Sequence, residues 1–518
     1  MKNIKLFIAL LSLSILIVGC ESNVLETNPI DEISPETFYQ NESEAVMGLM
    51  GIYESASTPG PWHFLQHDFM SDNNYMHHDW QGSMDFANWE HNSSSWRALE
   101  KWEIAYRTIG RANAFIENIE DSELSQEITT GLIAEARFLR AFMYAELIHY
   151  FGDVPLILEV QSFEDAETPR SPKEDVLETL LNDYEYASNN LPVSYSGSEV
   201  GRATEGAALA MKTRILLYEE MWEEAAQTAQ EVIGLGEYSL FPDYEGMFRE
   251  ENQNNEEVIF DFQYASDLRP QPWSSSCLGY SEWPTPGITT DIINAFRMTN
   301  GLPIDDPNSG YDDQDPYTDR DPRMVATFVL PGTEYGPITF IPDNDTQPTG
   351  MRPRKYAGIE ISNKDNCPLN WIVMRYADVL LMRAEALVET GNTSQEVYDL
   401  INEVRQRESV NMPTVEEAEG TGLSQNELRN IVRHERRVEF PMEATRYSDM
   451  RRWECEECVK PVYGYNTSLL SDPDDPENWI FEESLLENRE FDPSKGWLWP
   501  IPQEEMQNNP ALEQNPGY

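Results

Sequence analysis

Basic side chains are scarce in this chain: 36 lysines and arginines stand against 92 aspartates and glutamates, a formal net charge of −56. Such a surface repels phosphate backbones, which excludes nucleic acid as a partner. It repels other polyanions too, unless a local basic site overrides the field. Long apolar runs are also missing. Only Leu6–Val18 (LFIALLSLSILIV) is continuous, and it is too short to span a bilayer as a helix. Behind Lys2 and Lys5 it reads as the h-region of a signal peptide. With 40% apolar and 11% aromatic residues the rest is no disordered acidic tail, and it has the means to bury a large core.

The apolar run ends at Gly19-Cys20 and not at a peptidase site of the A-x-A type, and Ile17-Val18-Gly19-Cys20 resembles a bacterial lipobox. Residues 1–19 are then expected to be a removed signal peptide, with Cys20 the lipidated anchor to a membrane. That compartment is oxidising and permits disulfides. The other cysteines are Cys277, Cys367, Cys455 and Cys458. Cys455-Glu-Glu-Cys458 is a lone CxxC with no second pair and no βαβ context, which leaves a local disulfide or two thiols.

Catalytic signatures are lacking. There is no GxSxG and no GxGxxG, and His434-Glu435 is followed by Arg436 and Arg437 where HExxH needs a second histidine. Carboxylate pairs are too common here to nominate a general acid and base, so a glycoside hydrolase is the enzyme class left without a site. No cofactor and no metal site is implied. His63, His67, His77, His78 and His91 match no closed four-ligand pattern. A weak structural Ca²⁺ is the only ion that the many Asp and Asn leave room for, and the Asp-rich loop 305–321 lacks the EF-hand's glycine and terminal glutamate.

Aromatics are what the chain does have. Asn73–Trp96 (NNYMHHDWQGSMDFANWEHNSSSW) places three tryptophans in a polar setting without helical or strand period. A flat indole meets the C–H face of a sugar ring, while Asp, Asn and Arg meet its hydroxyl rim. Trp80 and Trp89, flanked by Asp, Gln, Asn and Glu, suit such loops; Trp273, Tyr280 and Trp283 form a second group punctuated by prolines 270, 272, 284 and 286. Trp102 carries helical period and belongs to the core, and Trp96 is the next to assign there.

Helical periodicity dominates elsewhere, so the fold class is mainly α. Leu132, Ala136, Leu139, Met143, Leu147 and Tyr150 form one stripe that Gly152 and Pro155 end. Residues 205–233 read as a helical hairpin stopped by Gly234. Residues 374–407 repeat that design across Gly391-Asn392, with Thr393-Ser-Gln-Glu396 as a capping-box pattern. Such pairs suggest a TPR-like scaffold, mainly 40–235 and 374–453. The region of about 257–371 is rich in Pro, Gly, Asp and aromatics, with strand-like runs at Val258–Phe262 and Val325–Leu330. It reads as a loop-rich, short-strand ligand-binding subdomain.

Four segments then carry a family resemblance: NAFRMTNGLPIDD with DPYTDRDPRMVATFVLPG (Asn294–Gly332), MRYADVLLMRAEALVETGN, IVRHERRVEFPMEATRYSDMRRW (Ile431–Trp453) and the tail WLWPIPQEEMQNNPALEQNPGY. In this order they resemble the SusD/RagB-like outer-membrane nutrient-binding lipoproteins of the Bacteroidetes, over nearly all of residues 20–518. The resemblance implies a single SusD-like domain of TPR-like helix pairs. It also implies a cell-surface lipoprotein that does not cleave its ligand but captures oligo- or polysaccharide and hands it to a SusC-like TonB-dependent transporter. RagB-like capture of oligopeptides is the alternative. LQHDFMSDNNY lies where the family has an "sDn" motif, which adds Asp72 and Asn73 to the expected glycan contacts Trp80, Trp89, Trp273, Tyr280 and Trp283. A neutral glycan is favoured by the charge. Arg320, Asp321, Arg323, Glu435, Arg436, Glu439, Glu443, Arg446 and Asp449 match the signatures too, but alternating charges on helices and turns suit a buried ion-pair network.

Overall fold

Helices outnumber every other element and are laid side by side. The structure is a computed structural model and describes residues 39–58, 61–77, 82–162, 167–271, 287–335, 338–342, 348–357, 366–470 and 478–518. In chain order the helices are α1 Glu42–Ser57, α2 Pro61–Phe69, α3 Ser83–Ala87, α4 Trp96–Glu120, α5 Gln126–Phe151, α6 Lys173–Asn190, α7 Glu205–Tyr218 and α8 Trp222–Leu235. They continue with α9 Thr290–Ala295, α10 Pro322–Thr327, α11 Tyr376–Glu389, α12 Gln395–Arg405, α13 Val415–Ala418, α14 Gln425–Glu439, α15 Arg446–Arg452 and α16 Gln503–Asn508. α4 packs on α1 and α5, and the stack continues through α6, α7 and α8 to α11, which also packs on α12 and α14. Among the described residues no helix is long and apolar enough to cross a membrane.

The expected stripe on α5 is buried, but so are Phe138, Ala141, Phe142, Tyr144 and Ile148 between its positions. Neighbours on several sides make this a core helix, and Gly152 at φ 73 ends it. The hairpin α7–α8 ends two residues later than expected, at Gly236, which takes the left-handed C-cap conformation at φ 67. The capping box expected at Thr393 does not form. Ser394 is the N-cap without a side-chain bond, and Glu396 reaches Arg383 on α11 instead. Capping boxes do form at Thr414/Glu417 and Ser424/Glu427, ahead of α13 and α14.

Between α8 and α11 the described residues carry only short elements. β2 (Val258–Phe262) pairs antiparallel with β4 (Trp371–Arg375), so the segment between them starts and ends on one ladder. Val325–Leu330 is not a strand. Asp321 accepts the Arg323 N–H ahead of Pro322, which starts α10, and only Phe328–Val329 is extended. The main core runs from Ala45 to Leu512, with a satellite of Val329, Tyr335, Phe340 and Ala357.

Beneath the helices lies the expected ion-pair network, almost wholly out of water. Glu435 and Glu439, one turn apart on α14, face a set of arginines. Arg323 reaches Glu435 at 2.7 Å and Glu439 at 2.8 Å, and Arg375 reaches Glu439 at 2.7 Å and Glu257 at 2.8 Å. Arg407 joins Glu257 and Glu439, and Arg405 holds Glu435 at 2.7 Å. A second knot holds Arg436 to Asp378 at 2.6 Å and Asp449 at 3.1 Å, and Arg452 to Glu385 at 2.7 Å. Burial pushes Glu435 and Glu439 up, but the arginines outweigh it and hold both at about 2. Arg320 departs from the expected pairing: it donates to the carbonyls of Pro316, Ile293 and Phe296. Cys455 and Cys458 form a disulfide just after α15.

Candidate functional site

The site is best built from the turn that leaves α2. Ser71 Oγ donates to the Asp68 carbonyl at 2.6 Å and accepts the Asn73 N–H at 3.2 Å, which turns the chain into β1 (Asn74–Tyr75). β1 pairs antiparallel with β3 (Gly287–Ile288), matching Asn74 with Ile288 and Tyr75 with Gly287. The Thr289 N–H and hydroxyl continue the join, donating to the carbonyls of Asn73 and Asp72 at 3.0 and 2.8 Å. Gly287 is required here, because a Cβ would collide with the Thr349 side chain. Two stretches some 200 residues apart in the sequence are thus sewn together just before residues 78–81 and just after residues 272–286.

Trp80, Trp273, Tyr280 and Trp283 lie outside the described residues, but the ladder joins the chain at the foot of both loop groups. Asp72 and Asn73 prove to be pins under that ladder, and the expectation that they meet ligand is corrected. Both are buried. Asp72 takes Arg446 through two 2.8 Å hydrogen bonds and Arg437 at 3.1 Å, and Arg437 also donates to Asn73 Oδ1. Burial pushes the Asp72 carboxyl up, but Arg437 and Arg446 pull it well below the usual carboxylate range. Arg437 and Lys460 then share Asp291 at the edge of the cluster, and Arg489 caps the carbonyls of Ser71 and Asn74.

Trp89 is also corrected. It is 3% exposed, which leaves no face for a sugar. Its backbone takes φ 58, its Nε1 donates to the Gly496 carbonyl at 3.0 Å, and its ring packs on Phe491 and Trp497. Partners some 400 residues away create that pocket, so nothing near Trp89 in the sequence announced it. Trp96 reverses in the other direction: it is 49% exposed at the first turn of α4. The Arg97 guanidinium lies 4.7 Å from its ring centre, and Arg97 is itself buried and paired with Glu100. A Cβ built on Gly82 would sit 3.9 Å from Arg97, so the platform stands where the chain returns from residues 78–81.

Two further aromatics border the ladder. Tyr75 is half-buried beside His77. Tyr463 is 39% exposed opposite Leu485 in the antiparallel pair of β5 (Val462–Tyr465) and β6 (Glu483–Glu487). Its carbonyl accepts from Thr290 at 3.5 Å, next to β3. Two of the histidines serve packing: His67 stacks on Tyr150, and His91 stacks on Phe86 and meets the Tyr518 hydroxyl. Burial and then Lys495 push His91 down to about 3. Among the described residues no group of three or more His, Cys, Asp or Glu side chains is placed to hold a metal.

The comparisons agree with one another. A family model described as the SusD family matches residues 245–518, and one described as "Starch-binding associating with outer membrane" matches residues 26–217. SusD-like protein P2 of Formosa agariphila is 27% identical over 100% of both chains. Among solved structures, a SusD-like carbohydrate-binding protein of Bacteroides fragilis is 29% identical at a TM-score of 0.82, covering 92% of this chain and 100% of its own. A second SusD-like protein of Bacteroides fragilis is 28% identical at the same TM-score, over 95% of this chain and 100% of its own. With more than half of its length matched by the family model, on a helical scaffold of the same kind, this chain belongs to the SusD family.

Proposed function

We propose that this protein is a cell-surface glycan-binding lipoprotein: anchored through Cys20, it captures an oligo- or polysaccharide and delivers it to a SusC-like TonB-dependent transporter in the outer membrane. It binds and does not cleave. The observation that carries the reading is the β1–β3 ladder, which pairs Asn74 and Tyr75 with Ile288 and Gly287, with the Trp96 indole exposed at the start of α4. The relatives support it, since one is named for carbohydrate binding and a matching family model is described as starch-binding. A neutral glycan suits a chain of net charge −56.

Affinity electrophoresis through gels cast with neutral polysaccharides tests this. At least one should retard the protein. Trp96→Ala, Trp80→Ala and Trp283→Ala should each weaken retardation severalfold, as expected for an aromatic contact of about 0.5–1.5 kcal/mol. Mobility unchanged in every glycan, together with co-purified peptides, would replace this reading with oligopeptide capture. Release of reducing ends on long incubation would make the protein a hydrolase.

A further inference from the structure

The helical half holds a cavity that the glycan face does not use. It is about 230 Å³ in volume and lies between the loop from α6 to α7, the end of α8 and the start of β2. None of its lining residues takes part in the contacts that hold the β1–β3 ladder. Drug-sized ligands occupy clefts of roughly 300–1,000 Å³, so this one suits something the size of a single sugar.

Its walls are fixed from behind. The buried Glu135 carboxylate accepts from Tyr53 at 2.7 Å and from Tyr195 at 3.5 Å, and Arg202 closes on the same carboxylate. The Arg202 guanidinium also lies over one face of the Tyr195 ring, 4.8 Å from its centre, so only the second face is open to a ligand. Gly201 sits at φ +97, with its backbone so close to Gln263 that any side chain would collide with it. The Tyr238 hydroxyl is set by Thr204 at 3.1 Å. Val193 and Val200, 37% and 39% exposed, supply apolar surface at the lining.

The charges choose the ligand class. Among the described residues Arg202 is the one basic side chain in the lining, and it is matched by both Glu135 and Glu199. Glu237, Glu256 and Asp261 add carboxylates, and Asn254 and Asn255 add amides. An anion is repelled here, whereas the hydroxyl groups of a neutral ligand meet carboxylate and amide acceptors and its C–H face meets a tyrosine ring.

We propose that this cavity, between Tyr195, Arg202, Tyr238, Asn255 and Asp261, binds one neutral pyranose, as a second sugar site separate from the glycan face. The claim rests on the cavity's own chemistry and stands without the function proposed above.

The test is calorimetric titration of the full chain with methyl glycosides of glucose, galactose, mannose and xylose. The variants are Val200→Trp and Val193→Trp, each enlarging a partly exposed lining residue, and Trp96→Ala on the other face. At least one glycoside should bind. Either tryptophan variant that keeps the parent melting temperature should weaken that binding at least about tenfold, while Trp96→Ala leaves it unchanged. Polysaccharide retardation should be unaffected by the valine variants, which separates this site from the glycan face. The proposal is overturned if no glycoside binds, if folded Val200→Trp and Val193→Trp bind as the parent does, or if binding is lost in Trp96→Ala.

Discussion

Replacing Asp72 by Asn separates a pin from a ligand contact. The change keeps shape and one acceptor but removes the charge that faces Arg446 through two 2.8 Å hydrogen bonds and Arg437 at 3.1 Å. Arg437 retains Asp291, while Arg446 loses its one ion-pair partner among the described residues, in a buried place. Breaking a buried pair costs about 3–5 kcal/mol, and the remaining amide oxygen keeps this case near about 3 kcal/mol. For a folded chain of this size the unfolding entropy is about 1 kcal/mol/K, so the melting temperature should fall by about 3 °C. Urea titration followed by tryptophan fluorescence should give a lower midpoint with an unchanged slope. The folded-state pKa of Asp72 is depressed, so its contribution is present above the ordinary carboxylate range and lost as pH falls below it. The gap between parent and variant should therefore be level from pH 5 to 8 and close in strong acid. Glycan retardation of the folded variant should match the parent. Unchanged stability with lost retardation would refute the pin and return Asp72 to the ligand face.

Trp89→Ala should cost about 3–5 kcal/mol of stability, read by urea titration, with retardation of the folded fraction intact, because the ring is packed on Phe491 and Trp497. Arg323→Met should cost a similar ~3–5 kcal/mol, since Asp321, Glu435 and Glu439 would lose a shared partner; a loss under about 1 kcal/mol would show the network to be dispensable. Burial raises Asp68 to about 7, and Oδ1 has no partner among the described residues. A raised acid favours folding while protonated and loses that advantage as pH rises through the folded value, so Asp68→Asn should gain on the parent between pH 5 and 8. The gain is of the order of 3 kcal/mol, measured as the difference in urea midpoints, and no pH dependence in that difference would refute it.

The helices were readable because their evidence is local. The period of Leu132–Tyr150, the hairpin at 205–233 and the run Val258–Phe262 all appear where the spacing put them. Errors arose where a distant partner outbid a local rule. Thr393-Ser-Gln-Glu396 has the spacing of a capping box, but Arg383 takes the glutamate. Trp89 has polar neighbours in sequence and aromatic ones in space, contributed by the C-terminal tail. Trp96 looks like the first apolar residue of a helix, and it is one, yet it points to solvent over a buried arginine. Apart from Arg320, the charged signature residues were read correctly as a network because opposite signs alternate at helical spacing. Which carboxylate each arginine would take was not legible, since Glu257, Arg323, Arg375 and Glu439 meet only after the chain has folded back on itself.

The buried arginines also decide what the solvent meets. Among the described residues, 13 of the chain's 36 basic side chains are buried but only 12 of its 92 acidic ones, so folding sorts charge by sign and leaves the exterior more anionic than the composition. Two electrostatic regimes then coexist in one molecule. The inner pairs are shielded from dissolved ions, while the outer carboxylates hold a dense cloud of counter-cations and repel one another when that cloud thins. Added salt should therefore raise the stability of this protein, although so many of its arginines are ion-paired. Low ionic strength should swell and weaken it from the outside inward, and the same mutual repulsion keeps crowded copies from sticking together.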